Sequence, residues 1–250
     1  MAELLPAKPY PAWNRYVVMP VCKTLCRILF WLLGPIKSIG AYRVPKKGPV
    51  LILSNHLADV DPIVVQVACH RAVHFMAKSE LFEMRLIGRI IRWFQAFPVK
   101  RGEPDRAAMR HAIDLLKMGE AVCVFPEGQL SEDGELQELK AGVALIVRQA
   151  AGHGGEGAER SAGANPATTG PRPRDELPVI CCGIQNSNKV MPYGRYIPRI
   201  SWSRVYVTWG EVKEFGRTST AEEIVEWATG QLRELTGETD AWRLTDGTTN

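Results

Sequence analysis

No G-x-S-x-G elbow occurs anywhere in the 250 residues, so nothing in the chain suggests a serine nucleophile or an acyl-enzyme. The six cysteines form no metal framework either. Cys22 and Cys26 stand four apart without a second pair or histidines beside them, and Cys69, Cys123, Cys181 and Cys182 lie in apolar runs. That pattern reads as buried free thiols in a reducing compartment, with no metal and no bound cofactor expected. Charge of one sign is also scarce. A net charge of +4 and a pI near 8.7 are too dilute for a clustered nucleic-acid face, so no nucleic-acid partner is expected. A mild basic lean suits phosphate or anionic-lipid ligands. No internal repeat is visible, and the 250 residues can bury one sizeable core.

What the chain does have begins with a short apolar stretch. "VCKTLCRILFWLL", residues 21 to 33, follows a polar, proline-broken leader and ends at "GP". It lacks the basic start and small-residue cleavage site of a secretory signal. Thirteen residues fall short of the ~20 that span a bilayer, although an extension from Val17 to Ile36 would reach that length. Lys23 and Arg27 share one helical face while Leu25, Ile28, Leu29, Leu32, Leu33, Phe30 and Trp31 cover the rest. A helix lying in the membrane interface is expected, its basic side chains snorkelling to headgroups; a helix packed in the core is the alternative. Residues 1–38 are therefore read as a membrane-associating segment and 39–250 as the main domain, with 151–175, rich in Gly, Ala and Pro, as a flexible insertion.

Within the domain, short apolar runs alternate with longer amphipathic ones. Strands are expected at 49–53, 72–77, 121–125, 177–184 and 204–210, with helices at 62–70, 80–94, 104–118 and 139–150. This alternation predicts an α/β fold with a mostly parallel central sheet flanked by helices. Ser219 and Glu222 form the pattern of a capping box before a closing helix. In "MRLIGRIIRWFQAF", Arg85, Arg89 and Arg92 recur at i, i+4 and i+7; a plain surface helix fits, as does a second element facing membrane or coenzyme A.

Three segments carry chemistry. "SNHLADVDP" places His56 five residues before Asp61, directly after the strand "PVLIL". In a continuous helix the two would point about 140° apart, so they meet only if the chain turns. Pro62 favours the first helical position, which makes Asp61 the expected helix cap and leaves His56 in a loop at the carboxyl end of a strand, where α/β proteins place ligands. Asp59, three residues from His56, is a rival for the carboxylate. "VFPEGQLSEDG" follows another strand and puts Glu127 and Gly128 in a turn at the same edge. "FPVKRGEPD" sets Lys100 and Arg101 side by side before a helix beginning near Pro104, a ready phosphate site. The remaining histidines, His70, His74, His111 and His153, lack matching neighbours and are read as structural.

In this order the segments resemble the glycerophospholipid acyltransferases. "NHLADVDP" is similar to the family's NH-x4-D block, "FPVKRG" to its arginine block, "FPEG" to its third block and "LPVI" (177–180) to its fourth; "MAKSEL" (76–81) resembles its strand-to-helix lysine segment. The resemblance runs from about residue 40 to 212 and excludes the insertion. It implies acyl transfer from acyl-CoA or acyl-carrier protein, as co-substrate, to the hydroxyl of a lysophospholipid, in the first instance 1-acyl-sn-glycerol-3-phosphate. It further implies that His56 is the base, Asp61 orients it, Lys100 and Arg101 hold the acceptor's phosphate, Glu127 and Gly128 shape the acceptor side, and the amino-terminal helix docks on a membrane surface at its cytoplasmic face. Leu130 stands where the family often has arginine, Ala58 where it often has serine, and Gln95 where glycine is common before the arginine block. The missing arginine leaves open another headgroup or an aminolipid as acceptor, and a lipid- or acyl-CoA-binding module without catalysis is the remaining alternative.

Overall fold

A computed structural model describes residues 6–100, 105–151, 175–195 and 197–237. The expected insertion falls mostly outside these residues, as do Arg101, Pro104 and His153. A π-helical turn, Asn14–Val18, runs into α1 (Met19–Leu33), followed by β1 (Ile36–Ile39), β2 (Val50–Ser54), α2 (Asp61–Ala68) and β3 (His74–Lys78). A 3-10 turn (Ser79–Phe82) leads to α3 (Arg85–Trp93), β4 (Phe97–Val99), α4 (Arg106–Lys117), β5 (Ala121–Val124) and α5 (Gly142–Ala150). The chain closes through β6 (Glu176–Gln185), α6 (Ser187–Val190), β7 (Val205–Gly216) and α7 (Ala221–Thr236). Among the described residues seven strands form one sheet in the order β1-β7-β6-β2-β5-β3-β4, with β6 and β7 antiparallel and the other pairs parallel. The expected α/β architecture with a mostly parallel sheet is thus what the chain adopts.

The central strands are apolar along their whole length because both sheet faces are covered. Every residue of β2 is buried, as are residues 177–184 of β6. One core cluster gathers Ala112, Leu116, Ile146, Val147, Ile224 and Leu232 from α4, α5 and α7; a second gathers Val64 and Val65 of α2 with Phe30 of α1 and Trp209 of β7. Two edge strands, β1 and β4, escape sequence inspection because they are only four and three residues long and carry Lys37, Ser38 and Pro98. Capping of α7 is shifted by one residue from the expected box: Thr220 Oγ1 accepts from the N–H of Glu223, while Ser219 Oγ accepts from the N–H of Gly216.

The amino-terminal helix is oriented the other way round from expectation. Lys23 is buried, and its Nζ donates to the carbonyls of Cys69 and Arg71, both at 2.9 Å; Arg27 Nη2 reaches the Val67 carbonyl at 3.2 Å. Both cations therefore serve the carboxyl end of α2, where unpaired carbonyls and the helix dipole favour positive charge. Snorkelling to headgroups is replaced by docking onto the domain. The outward side is left to Trp13, Tyr16, Val17, Val21, Leu25, Ile28, Leu29, Trp31 and Leu32, all exposed. Residues 14–33 are also long and apolar enough to cross a membrane by length and composition.

Burial lowers the Lys23 ammonium to a pKa of about 8. The folded protein thus resists a charge that the unfolded chain keeps up to the ordinary lysine value near 10.4, so the contribution of Lys23 to stability should rise between those pH values. The buried thiols, whose pKa values are raised, oppose this over the same range. The quantity to read is therefore the difference in thermal stability between the native protein and Lys23→Met: it should shift in favour of the native protein from pH 7 to 10.5, and a difference independent of pH would contradict the buried position.

Candidate active site

The loop leaving β2 closes on a single carboxylate oxygen. Asp61 Oδ2 accepts from the backbone N–H of Leu57 at 2.6 Å and of Ala58 at 2.8 Å, and lies 3.0 Å from His56 Nδ1. Asp61 is fully buried and His56 is 3 % exposed. The expected helix-cap role for Asp61 is corrected here. A cap would accept from residues after it, but this carboxylate folds back over residues before it, and Val60 occupies the cap position with no side-chain bond. Pro62 does sit in the first helical turn. Asp59, by contrast, is exposed.

The geometry fixes the imidazole chemically. An ionised carboxylate is an acceptor only, so the Nδ1 facing it must carry the proton and Nε2 the basic lone pair. Phe125 stacks on the imidazole with ring centroids 4.1 Å apart at 20° and holds its plane. Low solvent access strengthens the pairing relative to water.

Two further strand ends hold this loop. Glu127, 2 % exposed, accepts from the backbone N–H of His56 at 2.7 Å and from that of Gln137 at 2.9 Å, tying the loop after β2 to the loop after β5. The His56 carbonyl accepts in turn from the N–H of Ser131 at 2.8 Å. On the other side, Asn55 Nδ2 donates to the Ile184 carbonyl at 3.0 Å and its Oδ1 accepts from the Ile184 N–H at 2.7 Å, matching a β6 backbone pair with one carboxamide. Since β2 lies between β5 and β6, His56 is clamped from both neighbouring strands. Gly128 adopts φ +73° in the turn after Glu127, and a Cβ there would lie 2.5 Å from Lys140 Nζ. The left-handed backbone favours glycine here, and any larger residue would also displace the end of the Lys140 side chain.

His56, Asp61, Glu127 and Gly128 are therefore brought together. Lys100 is exposed, with its backbone N–H donating to Asp105 Oδ2 at 3.0 Å and its ammonium in no ion pair among the described residues; Arg101 lies outside them. Asp105 caps α4 through the N–H groups of Ala107 and Ala108. Sequence inspection passed over Asn55, although a polar residue directly after an all-apolar strand is a signal for a buried, bonded amide. It also passed over Lys140, for which no local signal exists. Gln95 has φ +53°, a left-handed conformation that explains why glycine suits this position. A surface cleft of about 640 Å³ opens on the far side of Glu127, between Gln129, Gln137, Lys140, Ala221 and Val225.

The chain is similar to known proteins over much of its length. A model of the family described as Acyltransferase matches residues 35–179, more than half of the chain. The 1-acyl-sn-glycerol-3-phosphate acyltransferase of Bacillus subtilis is 34 % identical over 129 residues, covering 51 % of this chain and 63 % of the relative. Human lysophosphatidylcholine acyltransferase 2 is 28 % identical over 140 residues, 54 % of this chain and 25 % of the relative. The chain thus spans less than two thirds of the length of these curated relatives. The crystal structure of the 1-acyl-sn-glycerophosphate acyltransferase PlsC from Thermotoga maritima shares the fold with a TM-score of 0.67 at 20 % identity, over 90 % of this chain and 81 % of that one.

Replacing Asp61 by Ala strands three donors at once, two of them backbone N–H groups. A loss of roughly 2–4 kcal/mol is expected, with Tm lower by about 4–16 °C, and a smaller loss in Asp61→Asn, which keeps one acceptor oxygen. An Ala variant as stable as the parent in thermal unfolding would contradict the assigned bonds.

Proposed function

The chain belongs to the acyltransferase family, and from that premise we propose that it transfers an acyl group from an acyl thioester to the hydroxyl of a lysophospholipid at a membrane surface. The observation that carries the proposal is the 3.0 Å contact between His56 Nδ1 and the buried Asp61 carboxylate. A lipid hydroxyl is a poor nucleophile until a base removes its proton. His56 Nε2 takes that proton as the oxygen attacks the thioester carbonyl, and Asp61 stabilises the imidazolium that forms. The tetrahedral adduct then collapses, the carbon–sulfur bond breaks, and the departing thiolate takes the proton from the imidazolium. The ester and a free thiol are the products, and no prosthetic group is needed; acyl-CoA or acyl-carrier protein is the co-substrate.

Glu127 and Gly128 act on the acceptor side through the backbone of the His56 loop, and Lys100 with Arg101 supplies cations for the acceptor's phosphate. 1-Acyl-sn-glycerol-3-phosphate is the first acceptor to test, in keeping with the activity named for the Bacillus subtilis relative. Leu130 in place of the arginine removes one phosphate contact and supports a second reading in which the headgroup differs. Membrane association on the cytoplasmic side is supported by the outward apolar residues of α1 and by the free thiols, Cys181 and Cys182 among them.

Thiol release from acyl-CoA in detergent, offered lysophosphatidic acid, other lysophospholipids and glycerol-3-phosphate in parallel, tests this reading. Release should depend on one lysophospholipid and fall about 10²–10⁴-fold in His56→Ala, assayed at a temperature where this variant, which loses a buried ring, is still folded. Arg101→Ala should raise the KM for that acceptor and spare kcat. Turnover retained in His56→Ala, or release with no acceptor, would overturn the proposal.

A further inference from the structure

Helix α3 carries a cationic surface that the proposed chemistry does not use. Arg85, Arg89 and Arg92 line an open groove of about 410 Å³ together with Trp93. None of the three pairs with a carboxylate among the described residues. Like charges at i and i+4 repel, and Arg85 stands in the first turn, where the helix dipole disfavours a cation and which itself holds no acidic residue. This arrangement costs stability within the chain, and an anion in the groove would offset the cost.

The groove is held in shape. Arg92 Nη2 donates to the Phe82 carbonyl at 3.1 Å and its guanidinium lies 5.4 Å over the Phe82 ring. Gly88 lets α3 lie directly on that 3-10 turn, since a Cβ there would come within 2.5 Å of the Phe82 carbonyl oxygen. Trp93 stands exposed next to the arginines, and Met84, Ile87 and Ile90 are exposed farther round the helix. The carboxyl end of α3 also joins the start of the amino-terminal helix: Asn14 Nδ2 donates to the Trp93 carbonyl at 3.1 Å and Tyr10 OH to the Phe94 carbonyl at 2.7 Å. Exposed Trp13, Tyr16 and Val17 continue the apolar surface from there.

We propose that α3 is a second membrane-docking element, in which Arg85, Arg89 and Arg92 bind the headgroup phosphates of an anionic bilayer beside the apolar face of α1. This deepens the membrane-surface part of the proposed function. The division of labour follows from α1 itself. With Lys23 and Arg27 engaged on α2, that helix offers the bilayer apolar and aromatic side chains, and the cations that an anionic surface attracts come from α3. Trp93 beside the arginines, and the exposed isoleucines farther round α3, suit the interface between headgroups and acyl chains. They have no use against a soluble phosphate.

The test is co-sedimentation of the full chain, without acyl donor or acceptor, with vesicles of phosphatidylcholine alone or containing about 30 % phosphatidylglycerol. Binding to the anionic vesicles should be the tighter and should weaken as salt rises. Arg85→Gln/Arg89→Gln should lose roughly 5-fold per arginine, about 30-fold for the pair, on anionic vesicles only. Binding to neutral vesicles, and thiol release in detergent, should stay unchanged, and Arg85→Lys/Arg89→Lys should restore most of the anionic binding. Equal binding of native protein to both vesicles, or equal losses on both in the glutamine variant, would overturn the proposal. An unchanged vesicle affinity with a raised KM for acyl-CoA would overturn it in favour of a coenzyme phosphate site. Because vesicle binding is read without turnover, failure of the proposed reaction leaves this result standing, and the reverse.

Discussion

One carboxylate oxygen organises the site. Asp61 Oδ2 gathers two backbone N–H groups and the Nδ1 of His56, and each bond constrains a different degree of freedom. The N–H groups of Leu57 and Ala58 fix the path of the loop out of β2, and the imidazole bond fixes both tautomer and ring orientation. A buried, negatively charged acceptor makes charge-assisted bonds, stronger than neutral ones, which is why a loop without regular structure can hold a reactive side chain in place. Glu127 and Asn55 extend the same device to the flanking strands: each satisfies backbone groups of a neighbour with one side chain. The rigid sheet thus sets the position of His56, and the carboxylate sets its chemistry.

Attachment of the amino-terminal helix obeys the same accounting of unsatisfied polar groups. Carbonyls at the end of α2 need donors, and Lys23 and Arg27 supply them. At the other end, Arg15 pairs with Glu120 at 2.6 Å, and His74 stands 3.7 Å from the second oxygen of that carboxylate. Burial raises the Glu120 carboxyl, but the neighbouring His74 imidazole and the Arg15 guanidinium outweigh it, and its pKa ends below the ordinary value. Polar contacts therefore face inward at both ends of a helix whose apolar side faces out, the reverse of a helix on a water-exposed surface. Such an inversion suits a protein that meets a bilayer along this side.

Much of this was legible in the sequence, because the signals were local. The five strands found there are long apolar runs, and those runs are central in the sheet; β1 and β4 are short edge strands whose Lys37, Ser38 and Pro98 blur the pattern. The His56 and Asp61 pair was legible because Pro62 forces a turn between strand and helix. Its bonding was not: a carboxylate that folds back on preceding residues and one that caps following residues occur in the same sequence. Helix α1 was legible as amphipathic but not in its direction, since periodicity shows which side chains share a face and not what that face meets. Asn55 and Glu127 reach to neighbouring strand ends 129 and 71 positions away, beyond any local pattern.

The most direct test of the central claim is the tautomer of His56. Nitrogen-15 spectra of histidine-labelled protein, with the His56 signals assigned by their loss in His56→Gln, read the protonation of the two ring nitrogens separately. For the neutral ring the account predicts a protonated Nδ1 and an unprotonated, pyridine-like Nε2, with this preference lost in Asp61→Asn. A proton resident on Nε2 with Nδ1 bare would contradict it, since the nitrogen assigned to take the hydroxyl proton would already be occupied.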